Sequence, residues 1–494
     1  MYDVIVAGAR CAGSPLSMLL ASMGYNVVLV EKATLPSDTI STHFIWPPGL
    51  ACLKRWGLLD RLKATGCPVH TRIGFDPGPF QIYGTPPGSD RVAEMMCPRR
   101  TVLAARGNNP VGRAATIWVR ERGGRRSRCE FISDDEQRSY RPKSLLPRGL
   151  RRRRAIASSQ LLRNVPHCNR RCFSLLLRRR SQRDPRDYYH GLLDKILRDA
   201  AESVGVEVAE GFTVTGVTSA DGRVTGIRGH GRQQAEMTIP ARLVVGADGR
   251  RSTIAGAVGA EQYNARPVAT CLYYSYWRDV PAHPVAVHIR PRRFMVTTPT
   301  NDGLTMGMTM FPIEEFDSVK QDIESAFWKS YDMMSEVAEK IRAGKRVERF
   351  YGTADNLNFF RKPYGDGWVL AGDAGYHKDP ITAQGISDAF QMVEWLARAI
   401  DAGFSGARPM SEALEEYSRK RDAHFLPMYE FTYGLAGLQP PSPEMLALFG
   451  ALPGNQADTD GFLGTIAGTV PIPEYYSPAN MQRITGGAKA AARA

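Results

Sequence analysis

The sequence predicts an α/β fold: a discontinuous Rossmann-like domain, a second and mostly antiparallel sheet domain, and a helical C-terminal region. Three observations carry this reading. The chain opens with an apolar strand, a glycine turn, a helix and a second strand that closes on an acid. Two later apolar strands, running into Asp248-Gly249 and Gly372-Asp373, repeat the strand-to-turn design far downstream. Between them lies a run of alternating strands, and beyond residue 401 come helices with Pro-rich breaks such as Gln439-Pro440-Pro441-Ser442-Pro443.

Taken in order, Tyr2-Asp3-Val4-Ile5-Val6-Ala7 reads as a buried strand, 15–23 as an apolar helix, and 26–30 as a strand ending at Glu31. Residues 66–97 are rich in Gly and Pro and read as short strands with turns. A helix is expected over 192–204. Strands then turn at Asp221-Gly222, a hairpin signal, and run on to Leu243-Val244-Val245-Gly246. Residues 266–312 read as longer strands of the second sheet and 314–343 as helical. A short strand over 368–371 leads through a Gly/Asp turn into a helix over 386–400.

Length and composition bound the function. The 494 residues allow two or three domains. Hydrophobic residues make up 43% and mean hydropathy is −0.29, which excludes a disordered or membrane-spanning composition. No apolar run approaches the roughly 18 residues of a spanning helix. The first residues read as a strand and not as a leader, so a cytoplasmic enzyme is expected. The eight cysteines form no regular framework, as suits free thiols in a reducing compartment. His167, Cys168 and Cys172 lack a second ligand pair at finger spacing, and no metal is expected.

The net charge of +14 belongs to one segment. Residues 104–186 hold 23 Lys and Arg, 22 of them Arg, against 6 Asp and Glu, whereas the remainder holds 41 against 44. The Arg-rich stretch has no aromatic interleaving, binding module or helical phase, so no nucleic-acid partner is expected. Joining Leu103 directly to Asp194 restores the apolar stripe of an amphipathic helix. Residues 104–190 are therefore expected to be an insertion without a compact fold, either a disordered loop or a gene-model artefact.

The chemistry resides in three motifs. Gly8-Ala9-Arg10-Cys11-Ala12-Gly13 joins strand to helix, presenting unpaired N–H groups and a positive dipole end to a pyrophosphate. Glu31 lies 18 residues after Gly13, close to the spacing at which an acid meets a ribose hydroxyl. Arg10 stands where close backbone approach usually demands a middle glycine. Asp248 and Asp373 each close an apolar strand, where a carboxylate can accept from a ribityl hydroxyl. Gly385-Ile386 opens a helix whose N–H groups can stabilise a reduced flavin ring.

In this order the motifs resemble the FAD-dependent monooxygenase superfamily with the para-hydroxybenzoate hydroxylase fold, which also holds flavin-dependent halogenases and geranylgeranyl reductase-like enzymes. The resemblance covers 1–103 and 191–400. It implies FAD as the cofactor, with a domain assembled from 1–65, 98–103, 191–262 and 350–400. A substrate domain then comprises 66–97 and 263–349, and 401–494 is the C-terminal helical region. Carried over residue by residue, Gly8, Cys11, Ala12, Gly13, Glu31 and Lys32 form the ADP-binding turn and ribose site. Arg100, Asp248, Gly372, Asp373, Gly385 and Ile386 complete the flavin site.

Two departures from the family pattern matter. The Asp-Gly motif usually continues with Ser and then Arg three residues later; here Ser252 is followed by Ala255, which leaves the electron donor open between NAD(P)H and a partner flavin reductase. The tryptophan pair of the halogenases is absent from the second sheet. The expected function is oxidation of a small apolar or aromatic substrate by O2 through a flavin C4a-hydroperoxide. Flavin-dependent reduction of carbon–carbon double bonds is the nearest alternative, and halogenation is less favoured. His43, Tyr376 and His377 are the candidate catalytic side chains. Met306, Met308 and Met310 fall at period two with Tyr274 and Tyr276, and read as core packing ahead of pocket lining.

Overall fold

The computed structural model describes residues 1–34, 43–99, 115–120, 126–131 and 192–491. The chain divides into two compact units, Met1–Val102 with Ser174–Ala494, and Leu103–Phe173. In the smaller unit Ala115–Arg120 pairs antiparallel with Arg126–Phe131. This hairpin is extended chain within the stretch expected to be an insertion. The remaining Arg-rich sequence, His167, Cys168 and Cys172 lie outside the described residues.

The larger unit carries two eight-stranded sheets. The first begins from Tyr2–Ala7, whose last four residues are buried, flanked in parallel by Val27–Glu31 and by the second half of Met237–Gly246. The first half of Met237–Gly246 pairs antiparallel with Arg223–His230, which turns back through Asp221-Gly222 to Thr213–Ala220. Trp368–Leu370 adds in parallel on the other side. The register Ala7↔Gly246 and Gly246↔Leu370 therefore sets three strand ends, drawn from distant sequence, side by side. Ligands of open α/β sheets gather beyond such carboxyl ends.

Helices Gly13–Ser22, Leu192–Ser203 and Gly385–Phe404 pack on this sheet around Leu16, Leu20, Leu197, Phe390 and Val393, all fully buried. Leu193 belongs to the same core, so Leu192–Ser203 starts before the Asp194 junction. Leu103 lies outside the described residues.

The second sheet runs, in order, through Thr270–Arg278, Leu304–Pro312, Arg293–Thr300, Val285–Arg290, Ile73–Asp76 and Ile82–Gly84. It is antiparallel except where Val285–Arg290 lies parallel to Ile73–Asp76. Both of its faces are covered. Ile323–Tyr331 and Ser335–Ala343 bury Trp277 and Met295 on one side, where Phe327 stacks on Trp277 at 5.1 Å. Met306, Met308, Met310, Tyr274 and Tyr276 share the other face, against C-terminal helices that contribute Leu448, Phe449 and Phe462. No helix among the described residues is long and apolar enough to cross a membrane.

Candidate functional site

The three strand ends open into a cleft of about 570 Å³. Its first wall is the turn after Tyr2–Ala7, where two glycines are obligatory. Gly8 has φ +104°, and a Cβ there would stand 2.3 Å from the Ala247 carbonyl oxygen; a Cβ on Gly13 would stand 1.7 Å from the Gly8 oxygen. Strand, turn and helix thus close on one another with no room for a side chain. Arg10, at the middle position, lines the cleft and reaches Asp194 of the following crossover at 3.8 Å. Cys11 and Ala12 line the cleft beside it, and Cys11 Sγ lies 3.7 Å from Asp194.

Glu31 and Lys32 form the far end of this wall with Phe212, Thr213 and Val214. The Glu31 carboxylate accepts from the Ala9 amide at 2.8 Å and the Ala33 amide at 2.9 Å, so the acid also fixes the glycine turn. Its buried position makes these charge-assisted bonds strong.

The two aspartates behave differently. Asp248 lines the cleft, but its carboxylate accepts from Ser252 Oγ at 2.5 Å and from the Thr253 and Ile254 amides at 2.7 and 3.2 Å. It tethers the start of the helix Thr253–Ala257, whose N-cap is Ser252, and burial raises its pKa while those bonds oppose the rise. Asp373 has a side chain 45% exposed, and His377 Nε2 lies 4.0 Å from its carboxylate. Gly372, with φ +57°, turns tightly enough that a Cβ would sit 2.7 Å from Ala12.

Gly385 and Ile386 open the 20-residue helix Gly385–Phe404 at the cleft's other end. A Cβ on Gly385 would meet nothing within 4 Å, so the first turn faces open space with its N–H groups and dipole. Beneath it Lys378 Nζ donates to Tyr376 Oη at 2.9 Å and pairs with Asp388; all three residues are buried and line the cleft. Tyr376 stacks on Phe425 at 5.2 Å, and burial drives its phenol well above the usual range. His377 also lines the cleft, its Nδ1 bonded to the Leu357 carbonyl, and burial lowers its pKa. His43 is buried with φ +59° and meets Tyr274 edge-on at 5.8 Å; it is not among the residues lining the cleft. Arg100 lies outside the described residues. Among the described residues no group of three or more His, Cys, Asp or Glu could hold a metal.

A second cavity, about 70 Å³, adjoins the first: Pro380 lines both. The first of its walls is residues 380–383, the loop just before Gly385, and the second is the second sheet through Met306, Met308 and Val296. Met306 and Met308 are buried core residues of that face, as expected, and they also line the cavity. Met310, Tyr274 and Tyr276 are buried but do not line it. Sequence reasoning missed the Lys378–Asp388 pair and this cavity. A lysine two residues before Pro380 and an acid in the first helical turn were the visible signal for the pair; the cavity has none, because its walls come from separate segments.

The cradle fits a flavin dinucleotide: a tight glycine turn and Glu31 at one end, an exposed carboxylate midway, and a helix N-terminus at the other. Comparisons agree. Digeranylgeranylglycerophospholipid reductase from Methanocella arvoryzae is 28% identical over 232 residues, 44% of this chain and 56% of that protein. A 1H-pyrrole-2-carbonyl-[peptidyl-carrier protein] chlorinase from Pseudomonas fluorescens is 24% identical over 213 residues, 40% of this chain and 46% of its own. The chain spans about half the length of the curated relatives it matches. Among solved structures, PqsL of Pseudomonas aeruginosa superposes with TM-score 0.63 at 17% identity, covering 89% of this chain and 96% of PqsL. A flavoprotein/dehydrogenase from Cytophaga hutchinsonii reaches 0.68 at 16%, covering 99% of each. At those identities the superpositions establish the fold. The model of the FAD binding domain family matches residues 1–432, every segment that walls the cleft, and the chain belongs to that family of FAD-dependent oxidoreductases.

Proposed function

We propose that the protein is an FAD-dependent monooxygenase acting on a small apolar or aromatic molecule. The observation that carries this reading is the apolar cavity abutting the flavin cleft at Pro380, directly before the helix start at Gly385. When bound, FAD supplies two-electron transfer and, once reduced, activation of O2. The chain's own residues do the rest. The turn from Gly8 to Gly13, with Glu31 behind it, holds the nucleotide; Asp373 accepts from the ribityl hydroxyls; the Gly385 helix start stabilises negative charge at the ring. The cavity seats the substrate beside the ring and keeps water from it. Tyr376 and His377 are positioning residues, since both line the cleft with their polar atoms already held, Tyr376 by Lys378 and His377 by the Leu357 carbonyl.

Residue 255 bears on the electron donor. Ala255 is buried in the Thr253–Ala257 helix and offers no charge to a nicotinamide nucleotide. NADPH alone is therefore expected to reduce the flavin slowly, with substrate or a partner flavin reductase speeding it. Rapid reduction by NADPH without substrate would overturn this.

Reduction of a carbon–carbon double bond is the second reading, favoured by the identity to the Methanocella reductase. Turnover of cavity-binding substrates in air and in anaerobic buffer separates the two. Stoichiometric O2 uptake with an oxygenated product supports the monooxygenase; equal turnover without O2 replaces it with the reductase.

A further inference from the structure

Most of the residues lining the apolar cavity lie within the family match, and one wall lies beyond it. Leu435, Met445, Phe449, Phe462 and Ile466 all line it and all lie beyond residue 432, where the family match ends. They come from the end of Met410–Ala436 and from the helices Pro443–Ala451 and Gln456–Ala467.

This layer is built in. Gly84 at the sheet edge faces Leu463 so closely that a Cβ would stand 2.6 Å from it, and the Thr85 amide donates to Asp460 at 2.8 Å. Tyr475 donates to the Asp458 carbonyl at 2.8 Å, and Arg483 pairs with the Asp458 carboxylate. One bond ties the layer to the cleft. Gln384, which precedes the Gly385 helix and is buried, donates from Nε2 to the Ile466 carbonyl. A single loop thus connects the flavin end of the cleft to the wall that faces the substrate.

The lining chemistry states what that wall admits. No charged side chain lines the cavity, and its polar side-chain groups are already partnered. Thr298 donates to the Pro299 carbonyl at 3.2 Å, the Thr382 and Thr432 hydroxyls bond each other at 2.9 Å, and Trp46 Nε1 donates to the Thr382 carbonyl at 3.0 Å. A carboxylate or phosphate placed there finds no cation and no free side-chain donor, and a buried unpaired charge costs several kcal/mol. A neutral ring or alkyl chain meets only apolar surface and thioethers that repack around it.

We propose that the helical layer beyond residue 432 selects the substrate, and that the cavity it closes takes an uncharged hydrocarbon or aromatic compound and rejects its carboxylated counterpart. This rests on the flavoenzyme reading for the identity of the site, but binding to the wall is measurable without turnover.

The test is calorimetric titration of the purified full-length protein with toluene against benzoate and naphthalene against naphthoate. At least one neutral compound is expected to bind, at least about 100-fold more tightly than its acid. Met445→Ala and Phe449→Ala should each weaken that compound about tenfold through lost apolar contact. Leu446→Gln, on the exposed outer side of the same helix, should leave it unchanged. Met445 is only partly buried, so its truncation spares the fold even if Phe449→Ala does not. The inference is overturned if neither neutral compound binds, if an acid binds within tenfold of its partner, or if Met445→Ala, folded by circular dichroism, leaves affinity unchanged. An absorption spectrum on the same sample separates the two readings: protein without flavin that still binds naphthalene sinks the oxidoreductase assignment and not the wall.

Discussion

Pro380 lines both the cleft and the apolar cavity, and on its two sides the chain builds recognition from different materials. The cleft is shaped by main-chain turns, with glycines at 8, 372 and 385 in its lining, Gly13 packed behind Gly8, amides at a helix start, and polar side chains such as Glu31 and Lys378. The cavity is made almost wholly of side chains from the second sheet and the C-terminal layer. Main-chain recognition tolerates little change at fixed positions, because one Cβ fills the space a ligand or a neighbouring strand occupies. Side-chain recognition tolerates much change, because apolar volume can be redistributed among neighbours. Substitutions in the two regions should therefore separate cofactor retention from substrate choice.

The largest expected effect is at the floor of the cleft. Lys378→Met leaves Asp388 buried without its partner and should cost about 3–5 kcal/mol of stability. Lys378→Met combined with Asp388→Leu should recover most of that in urea titrations. Failure of the double variant to recover would show that the pair does more than neutralise itself. Next is Gly13→Ala, whose methyl has no space against the Gly8 carbonyl; a loss of about 3 kcal/mol, or roughly 100-fold in FAD affinity, is expected by flavin fluorescence titration.

The aspartates sharpen the contrast within the cleft. Asp373→Ala removes a charged acceptor and should weaken FAD by about 1.5–3 kcal/mol with little change in melting temperature of the flavin-free protein. Asp248→Ala should do the reverse, lowering stability by about 1 kcal/mol because the Ser252 hydroxyl and the Thr253 and Ile254 amides lose their acceptor. Equal effects of both on flavin binding would show that Asp248 also meets the cofactor.

Smaller still is the pH response. Partial burial lowers the pKa of His70, His283 and His377 below 6.5, so the unfolded chain takes up protons there that the folded chain refuses. Their contribution is full above about pH 6.5 and is lost as the pH falls below it. Asp379 acts oppositely: burial raises its pKa to about 6, and the stability its protonated form contributes is lost as the pH rises through that value. Above the Asp379 range, urea midpoints between pH 6 and 8 should fall on the acid side, and a flat profile there would contradict the partial burial of these rings. Smallest is deletion of 104–190, which removes most of the smaller compact unit. The shortened protein is expected to stay yellow and to keep both affinities; loss of flavin would place part of that segment in the cofactor site.

By itself the sequence determined the cleft. Strand Tyr2–Ala7, the turn to Gly13, the acid at Glu31 and the Gly372-Asp373 turn are local patterns, fixed by steric rules that act over a few residues. Tertiary structure decided what those patterns do. The carboxylates of Asp248 and Asp373 look alike in sequence, and only the helix start at Thr253 shows that the first is already committed to three donors. His43 sits among loop residues that could face the flavin, and only the packing places it against Tyr274 and away from the cleft lining. Period-two methionines announce a shared face but not whether that face meets core or cavity. That depends on which residues arrive opposite, and here they arrive from helices more than a hundred residues downstream, at Met445, Phe449 and Phe462. Backbone geometry propagates along the chain and is written locally, whereas the volume between two packed layers belongs to neither and exists only once both are in place.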